Sequence, residues 1–327
     1  MKEIVAFAAN ERLPVDSGSG LVPGQIYLAN EARFVSTFYS EALTGYVTGW
    51  KDPNDIQGTL DFLFPPVMAN RRFEFKKTDN AEAFLSETDD LRAIGADFKR
   101  VEYTGTTVNE KTLNKGLSVV VDLDNVADQG NWREQKTAML MQRLWRNELR
   151  RAVTVAAASA ANTAKTWDTT AGKDPDLDVL TDLIAGVDGA GFRCNRLLFG
   201  DVAWNKRAIA HRAQNTAGGF ASASLTQEQL AGLLGVQGVK VSRERYTTAA
   251  ATKGKVTPDI VLEFYAQDNA TEDDPSHFKR FWSPVLGGGM FRVYEQQVTA
   301  KLYVITVEHY SNLVVAHTIG VRKLTIS

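Results

Sequence analysis

The stretch that decides the fold begins with RRFEFKK (71–77), passes through a polar, partly acidic segment to GLSVVVD (116–122), and ends in AMLMQRLWRNELRRAVTVAAASAAN (138–162). Phe73 and Phe75 alternate with charged residues at the two-residue period of a half-exposed strand. A second alternating run, Val101 to Thr107, and the run Gly116 to Asp122 read together as returning strand, joined to the first by a polar tip around Asp79 to Arg100. An isolated two-stranded arm is only marginally stable in water, so it needs another surface to lie on. The surface expected is another subunit. A compact enzyme has little use for such an arm, whereas a protein that holds its neighbours does.

Behind the arm, Asp124 or Asn125 can cap a helix, and from Val126 to Ala161 there is no proline and only Gly130 as glycine. About 36 residues at about 1.5 Å each predict a beam of about 54 Å. Leu140, Leu144, Trp145, Leu149, Ala152, Val153, Ala156 and Ala160 form its apolar stripe, with Arg143, Arg146, Arg150 and Arg151 on other faces. Glu134 and Glu148 are interspersed, so ion pairing is the expected use of these arginines, ahead of phosphate contact.

Upstream, Pro14, Gly18, Gly20, Pro23 and Gly24 exclude a long element and predict an extended N-terminal arm. A helix with an aromatic stripe is expected from Asn30 to Trp50, before Pro65-Pro66 stops regular structure. Downstream, Asp174-Pro175 opens a helix with stripe Leu177, Leu180, Leu183, Ile184 and Val187 that ends at Gly189 and Gly191. Arg196 to Gly200 is a buried strand, Asp201 caps a helix bearing Trp204 and Ile209, and Thr226 with Gln229 forms a capping box closed at Gly235. Strands are expected at Val239–Tyr246 and Ile260–Ala266, then at 291–295, 302–310, 313–317 and 321–326.

The 327 residues are 44% hydrophobic and 23% charged, which is globular, and 37 Lys and Arg against 39 Asp and Glu leave a formal charge of -2. That excludes the net basic field of a dedicated nucleic-acid binder. Cys194, alone, is expected to be a small buried hydrophobe. The apolar start of the chain is too short for a signal peptide or a membrane span, so an intracellular protein is expected.

Catalytic and metal-binding patterns are missing. His211, His277, His309 and His317 have no partners at metal-ligand spacing, and there is no Walker A loop, G-x-G-x-x-G or G-x-S-x-G. Gly18-Ser19-Gly20 and Gly287-Gly288-Gly289 read as joints. The carboxylate groupings Glu272-Asp273-Asp274 and Asp122/Asp124 read as a solvated loop and as a strand exit with a helix cap. No catalytic residue, cofactor or metal site is assigned, and no enzymatic role is expected.

The order of parts resembles the major capsid protein of tailed bacteriophages, the Hong Kong 97-like fold, over nearly the whole chain. The phrases that carry the likeness are Thr166-Trp167-Asp168 leading to Asp174-Pro175-Asp176-Leu177-Asp178, Asn195 to Trp204, and Leu225 to Val236. The resemblance implies an α+β fold. Its parts would be an N-terminal arm (1–31), an N-terminal helix and peripheral-domain entry (32–68), an extended β-hairpin loop (69–122), and a long spine helix of the peripheral domain (123–164). An α/β axial domain (165–290) and C-terminal strands shared by the peripheral and axial domains (291–327) complete it.

It further implies a structural virion protein that self-assembles, in the host bacterial cytoplasm, into hexamers and pentamers of an icosahedral head, or prohead, enclosing double-stranded DNA. Copies of the chain itself, separate scaffolding and portal proteins, and DNA held by non-specific contact would be its partners, with room for decoration proteins and no membrane. Only residues 1–30 precede the first expected helix, so a long fused scaffold is expected to be absent. Lys76, Lys77, Lys99 and Asn312 supply the residue types of the covalent crosslink some members make, but lysines belong in a polar arm anyway and no crosslink is expected. The alternative within the same fold is an encapsulin-like bacterial nanocompartment shell, with Phe34, Phe38 and Tyr39 available to a cargo groove.

Overall fold

The computed structural model describes residues 26–28, 38–77, 91–92, 94, 97–98, 106–249, 251–272, 274–285 and 288–327. Most of the expected N-terminal arm, the start of the helix expected from Asn30 and most of the polar tip, with Phe34 and Lys99, lie outside the described residues.

Two sheets organise the chain. The first holds β1 (Ile26–Leu28), β2 (Pro66–Met68), β5 (Leu113–Asp122), β12 (Phe278–Ser283), β13 (Phe291–Gln297) and β14 (Leu302–Val315), in the order β1-β5-β14-β12-β2 with β13 also on β14. β14 is its axis: β5 runs antiparallel along Leu302 to Ser311, while β13 and then β12 take the other edge in tandem. The two strands expected at 302–310 and 313–317 are thus one strand of 14 residues. Ser311 and Asn312 do not turn the chain, because both continue the ladder to β12.

The second sheet has the order β6-β15-β11-β7-β8, formed by β6 (Ala161–Lys165), β7 (Arg196–Gly200), β8 (Gly238–Ser242), β11 (Ile260–Phe264) and β15 (Arg322–Ile326). Helices α4 (Pro175–Ala190), α5 (Asp201–Ala213), α6 (Ala217–Ala223) and α7 (Gln227–Leu234) accompany it. Their caps follow the sequence: the Asp174 carboxylate accepts from Leu177 N, Gly191 closes α4 at φ 73°, and Thr226 with Gln229 completes the capping box. The apolar face of α4 differs from the expected one. Val179 and Leu183 are buried, whereas Leu177 and Ile184 are half exposed. The strand expected at 239–246 splits into β8 and β9 (Arg245–Ala249), and β9 pairs with β10 (Thr252–Lys255) as a separate hairpin.

The beam is α3 (Trp132–Ser159), 28 residues and so about 42 Å long. It starts later than Val126, because the Asp122 carboxylate caps a 3-10 turn at Leu123–Asn125 and Gly130 separates that turn from the helix. Leu140, Leu144, Trp145, Leu149, Ala152, Val153 and Ala156 are buried, as the stripe predicts. They pack on β14 and on the helices α1 (Glu41–Gly49) and α2 (Ile56–Leu63). Helix α2 is absent from the sequence reading. Its first turn is held by the Asp52 carboxylate, which accepts from Ile56 N at 2.7 Å, while the adjacent Asp55 sits at φ 51°.

The arm is shorter than the expected 69–122. β3 (Arg72–Lys77) pairs antiparallel with β4 (Thr106–Lys111), and β5 leaves the arm to enter the first sheet. The reason lies in burial: Leu117 and Val119 to Val121 are core residues, whereas β4 is exposed or half exposed along its length. β12 likewise falls within the range expected for the axial domain, yet pairs with β14 of the first sheet.

Candidate assembly surface

The β3–β4 hairpin is a two-stranded sheet of its own, with no third strand among the described residues. Its root is fixed from one face. The Phe73 ring stacks on Phe281 at 4.2 Å between centroids, Phe75 lies 5.9 Å from the same ring, and Val67 and Val314 close the cluster. From this root the chain carries Ile94, fully exposed, and Phe98, 75% exposed with the Arg92 guanidinium 4.7 Å over its ring. Met68 and Leu113, at the root, are exposed as well. Among the described residues, then, apolar side chains near the hairpin and between its strands are offered to water.

A buried charge network clamps the first sheet to the beam. Lys115 Nζ on β5 donates to both Glu148 oxygens on α3, at 2.7 and 2.9 Å, and to Ser311 Oγ on β14 at 3.0 Å. Ser311 Oγ in turn donates to Glu148 at 2.8 Å, and Arg151 adds a bond from one turn away at 3.1 Å. Burial alone would raise the Glu148 carboxyl, but Lys115 and these donors bring it down to about 2. His309 beside it is buried and held near 3, hence neutral at pH 7.

The remaining charges of α3 divide. Arg146 meets Glu244 at 3.0 Å, whereas Arg143 and Arg150 meet no carboxylate among the described residues. In the second sheet's layer Asp176 on α4 takes a two-point grip from Arg207 on α5 at 2.6 and 2.8 Å, with His211 Nε2 at 3.1 Å. Arg207 also donates to Ser222 O on α6, so one guanidinium ties three helices together.

Several of the residues considered for chemistry are engaged within the fold. All four histidines are buried, and the described residues contain no group of three or more His, Cys, Asp or Glu that could hold a metal. His277 accepts a backbone hydrogen bond at Nδ1 from Tyr265 and is held near 3 by burial. The loop of Glu272 and Asp274 is organised by the protein's own cation: the buried Lys279 Nζ donates to both of their backbone carbonyls at 2.8 Å. The expected helix cap at Asp124 or Asn125 is not formed: Asp122 caps the 3-10 turn, Asp124 pairs with Lys301 at 2.7 Å, and the N-cap position of α3 is Asn131. Asn312 is engaged within the subunit, donating to Glu110 and to Lys111 O. Tyr39 bridges to Tyr294 and lies under Arg292, which commits it to the first sheet. Cys194 is buried, with its thiol pushed up by that burial. Among the described residues no helix is long and apolar enough to cross a membrane.

One buried carboxyl stands apart. Neither oxygen of Glu263 on β11 has a hydrogen-bond partner among the described residues, and burial, with Asp182 nearby, raises it well above the ordinary value of 4.5. The folded protein therefore holds a proton that the unfolded chain releases, so this group costs stability as pH rises above about 4.5. Glu263→Gln is expected to raise the melting temperature at about pH 8 and to change it little at about pH 4. A pH-independent difference in thermal unfolding would contradict this.

Over 88% of its length, the chain is similar to a phage-related protein from Bordetella bronchiseptica RB50, covering 96% of that chain with TM-score 0.66 and 20% sequence identity. The fold is Hong Kong 97-like. A weaker likeness, TM-score 0.49 and 10% identity, extends over 82% of this chain and 87% of the subunit in the capsid of cyanophage P-SCSP1u; the fold assignment rests on the first comparison. No protein-family model and no curated protein matches the sequence.

Proposed function

We propose that the chain is a structural shell subunit, the major capsid protein of a tailed-phage head. It assembles into hexamers and pentamers of an icosahedral particle that encloses double-stranded DNA, and it has no catalytic role. The observation that supports this reading most is the β3–β4 hairpin, which joins no third strand among the described residues and has exposed apolar side chains in the segment between its strands. A ribbon of that kind is stable when it lies across a neighbour.

In this reading the first sheet and α3 form the peripheral domain, and the second sheet with α4 to α7 forms the axial domain. The half-exposed Leu177, Ile184, Phe220 and Leu233 of those helices meet other copies. The subunit belongs to the virion, is assembled in the host bacterial cytoplasm, and works with separate scaffolding and portal proteins. Imaging of the purified protein by electron microscopy tests the reading through the presence or absence of closed shells. The contents of those shells separate a DNA-filled head from a compartment built around a cargo enzyme.

A further inference from the structure

The chain as a whole is slightly acidic, yet one cleft concentrates positive charge. Between α3 and the β9–β10 hairpin lies an open cleft of about 590 Å³ whose lining includes Arg143, Arg146, Arg150, Arg245 and Lys253, and no carboxylate. Arg146, Arg143 and Arg150 stand three and four residues apart, which puts them along one face of the helix. Two of the five cations are answered from outside the lining, Arg146 by Glu244 and Arg245 by Asp201. Arg143 and Arg150 are exposed and have no acidic partner among the described residues, and Lys253 Nζ donates only to Thr247 Oγ1. The Arg150 guanidinium lies 4.9 Å over the Tyr246 ring, a support that orients it without neutralising it.

We propose that this cleft is a phosphate-binding groove that grips the backbone of a nucleic acid. The inference rests on the shell reading and adds to it the place of contact. From Arg143 to Arg150 the helix rises about 10.5 Å. Along the axis of a duplex each strand carries a charge every about 3.4 Å, so a row of this length can meet more than one backbone phosphate. A single inorganic ion would use a fraction of it. An acidic protein segment fits less well, because protein interfaces seat apolar and aromatic anchors, and the lining offers one aliphatic side chain, Leu117, and one ring, Tyr246, which Arg150 already covers. Interfaces with nucleic acid are polar and strongly basic, as this one is.

The test is fluorescence anisotropy of a short labelled duplex with the full-length protein across a salt series, comparing wild type with Arg143→Gln/Arg150→Gln and with the charge-matched control Lys51→Gln/Arg212→Gln. Both cleft residues are exposed, so the fold should survive, which circular dichroism checks. Losing two phosphate contacts should flatten the slope of log affinity against log salt by about 1.8 and weaken low-salt binding at least about tenfold, with the control unchanged. Equal slopes for the cleft and control variants would overturn the proposal. So would displacement of the duplex by polyglutamate at lower charge concentration, which marks an acidic partner, or by inorganic phosphate at similar charge concentration, which marks a single-ion site. Particle formation is scored separately. Shells that form while the slopes stay equal remove the groove and leave the shell reading; duplex binding through Arg143 and Arg150 by a subunit that never forms shells does the reverse.

Discussion

Deletion of residues 80–95 is expected to leave a soluble, folded subunit that no longer forms stable shells. The two halves of this expectation rest on different parts of the chain. Folding is secured at the root of the hairpin, where Phe73 and Phe75 pack on Phe281, and none of these residues lies in the deleted stretch. The β5–β14 ladder and the beam are likewise untouched. On the shell reading, assembly depends on what the segment between β3 and β4 offers a neighbour, including Ile94, which is fully exposed among the described residues. An apolar anchor at an interface is commonly worth about 2 kcal/mol, or about thirtyfold in a single contact, and a closed shell repeats the contact in every subunit. Circular dichroism and thermal unfolding should match wild type, while sedimentation should show only small species. Normal, stable particles from the deletion would overturn this reading of the arm.

Glu148→Ala is expected to cost about 3–5 kcal/mol of folding stability, a large share of the about 5–15 kcal/mol typical of a native protein. Glu148 is 1% exposed and, among the described residues, is the carboxylate paired with Lys115, itself 12% exposed. Removing it leaves an ammonium enclosed between β5, β14 and α3, and Ser311 Oγ loses its acceptor. Glu148→Gln keeps an acceptor but not the charge, so it should fall between the alanine variant and wild type. Glu148→Leu with Lys115→Met removes both charges and should recover most of the loss, because the penalty lies in the orphaned charge more than in the absent pair.

Acid should act on the same clamp. A carboxyl at about 2 in the folded state, against an ordinary 4.5, contributes stability that is complete above about 4.5 and is lost as pH falls towards about 2. The glutamine variant should therefore lack part of the wild type's acid sensitivity. Urea unfolding of the unassembled subunit measures both effects. A loss under about 1 kcal/mol for Glu148→Ala would show that the clamp is ornamental to the fold.

Much of the architecture was legible because it is locally encoded. The stripe of α3, the Asp174 and Thr226 caps and the β-rich end from Phe291 all follow from periodicity and cap chemistry over a few residues. What stayed hidden depends on partners far along the chain. β5 reads like the return of the arm until Leu302 to Ser311 claim it as a neighbour. β12 carries Lys279 and Arg280, both 1% exposed, within a strand whose pattern suggests no buried face. Asp61, over two hundred residues away, accepts from the Arg280 guanidinium, which also lies over the Trp145 ring, and this is how Arg280 is accommodated. The clamp at Glu148 was half visible: its carboxylate was expected to form ion pairs, but Lys115 lies on a strand that the sequence assigns to the arm. Of the four arginines read on one helix, Arg143, Arg146 and Arg150 line the basic cleft, and the cleft takes shape only where the β9–β10 hairpin sets Arg245 and Lys253 opposite them.

The central claim is that this chain builds a closed shell from copies of itself. Electron microscopy of the purified protein, under a range of assembly conditions, tests it most directly. The account predicts closed icosahedral particles of uniform size, with the β3–β4 hairpin of each subunit lying across a neighbour. Persistent monomers under every assembly condition would contradict it.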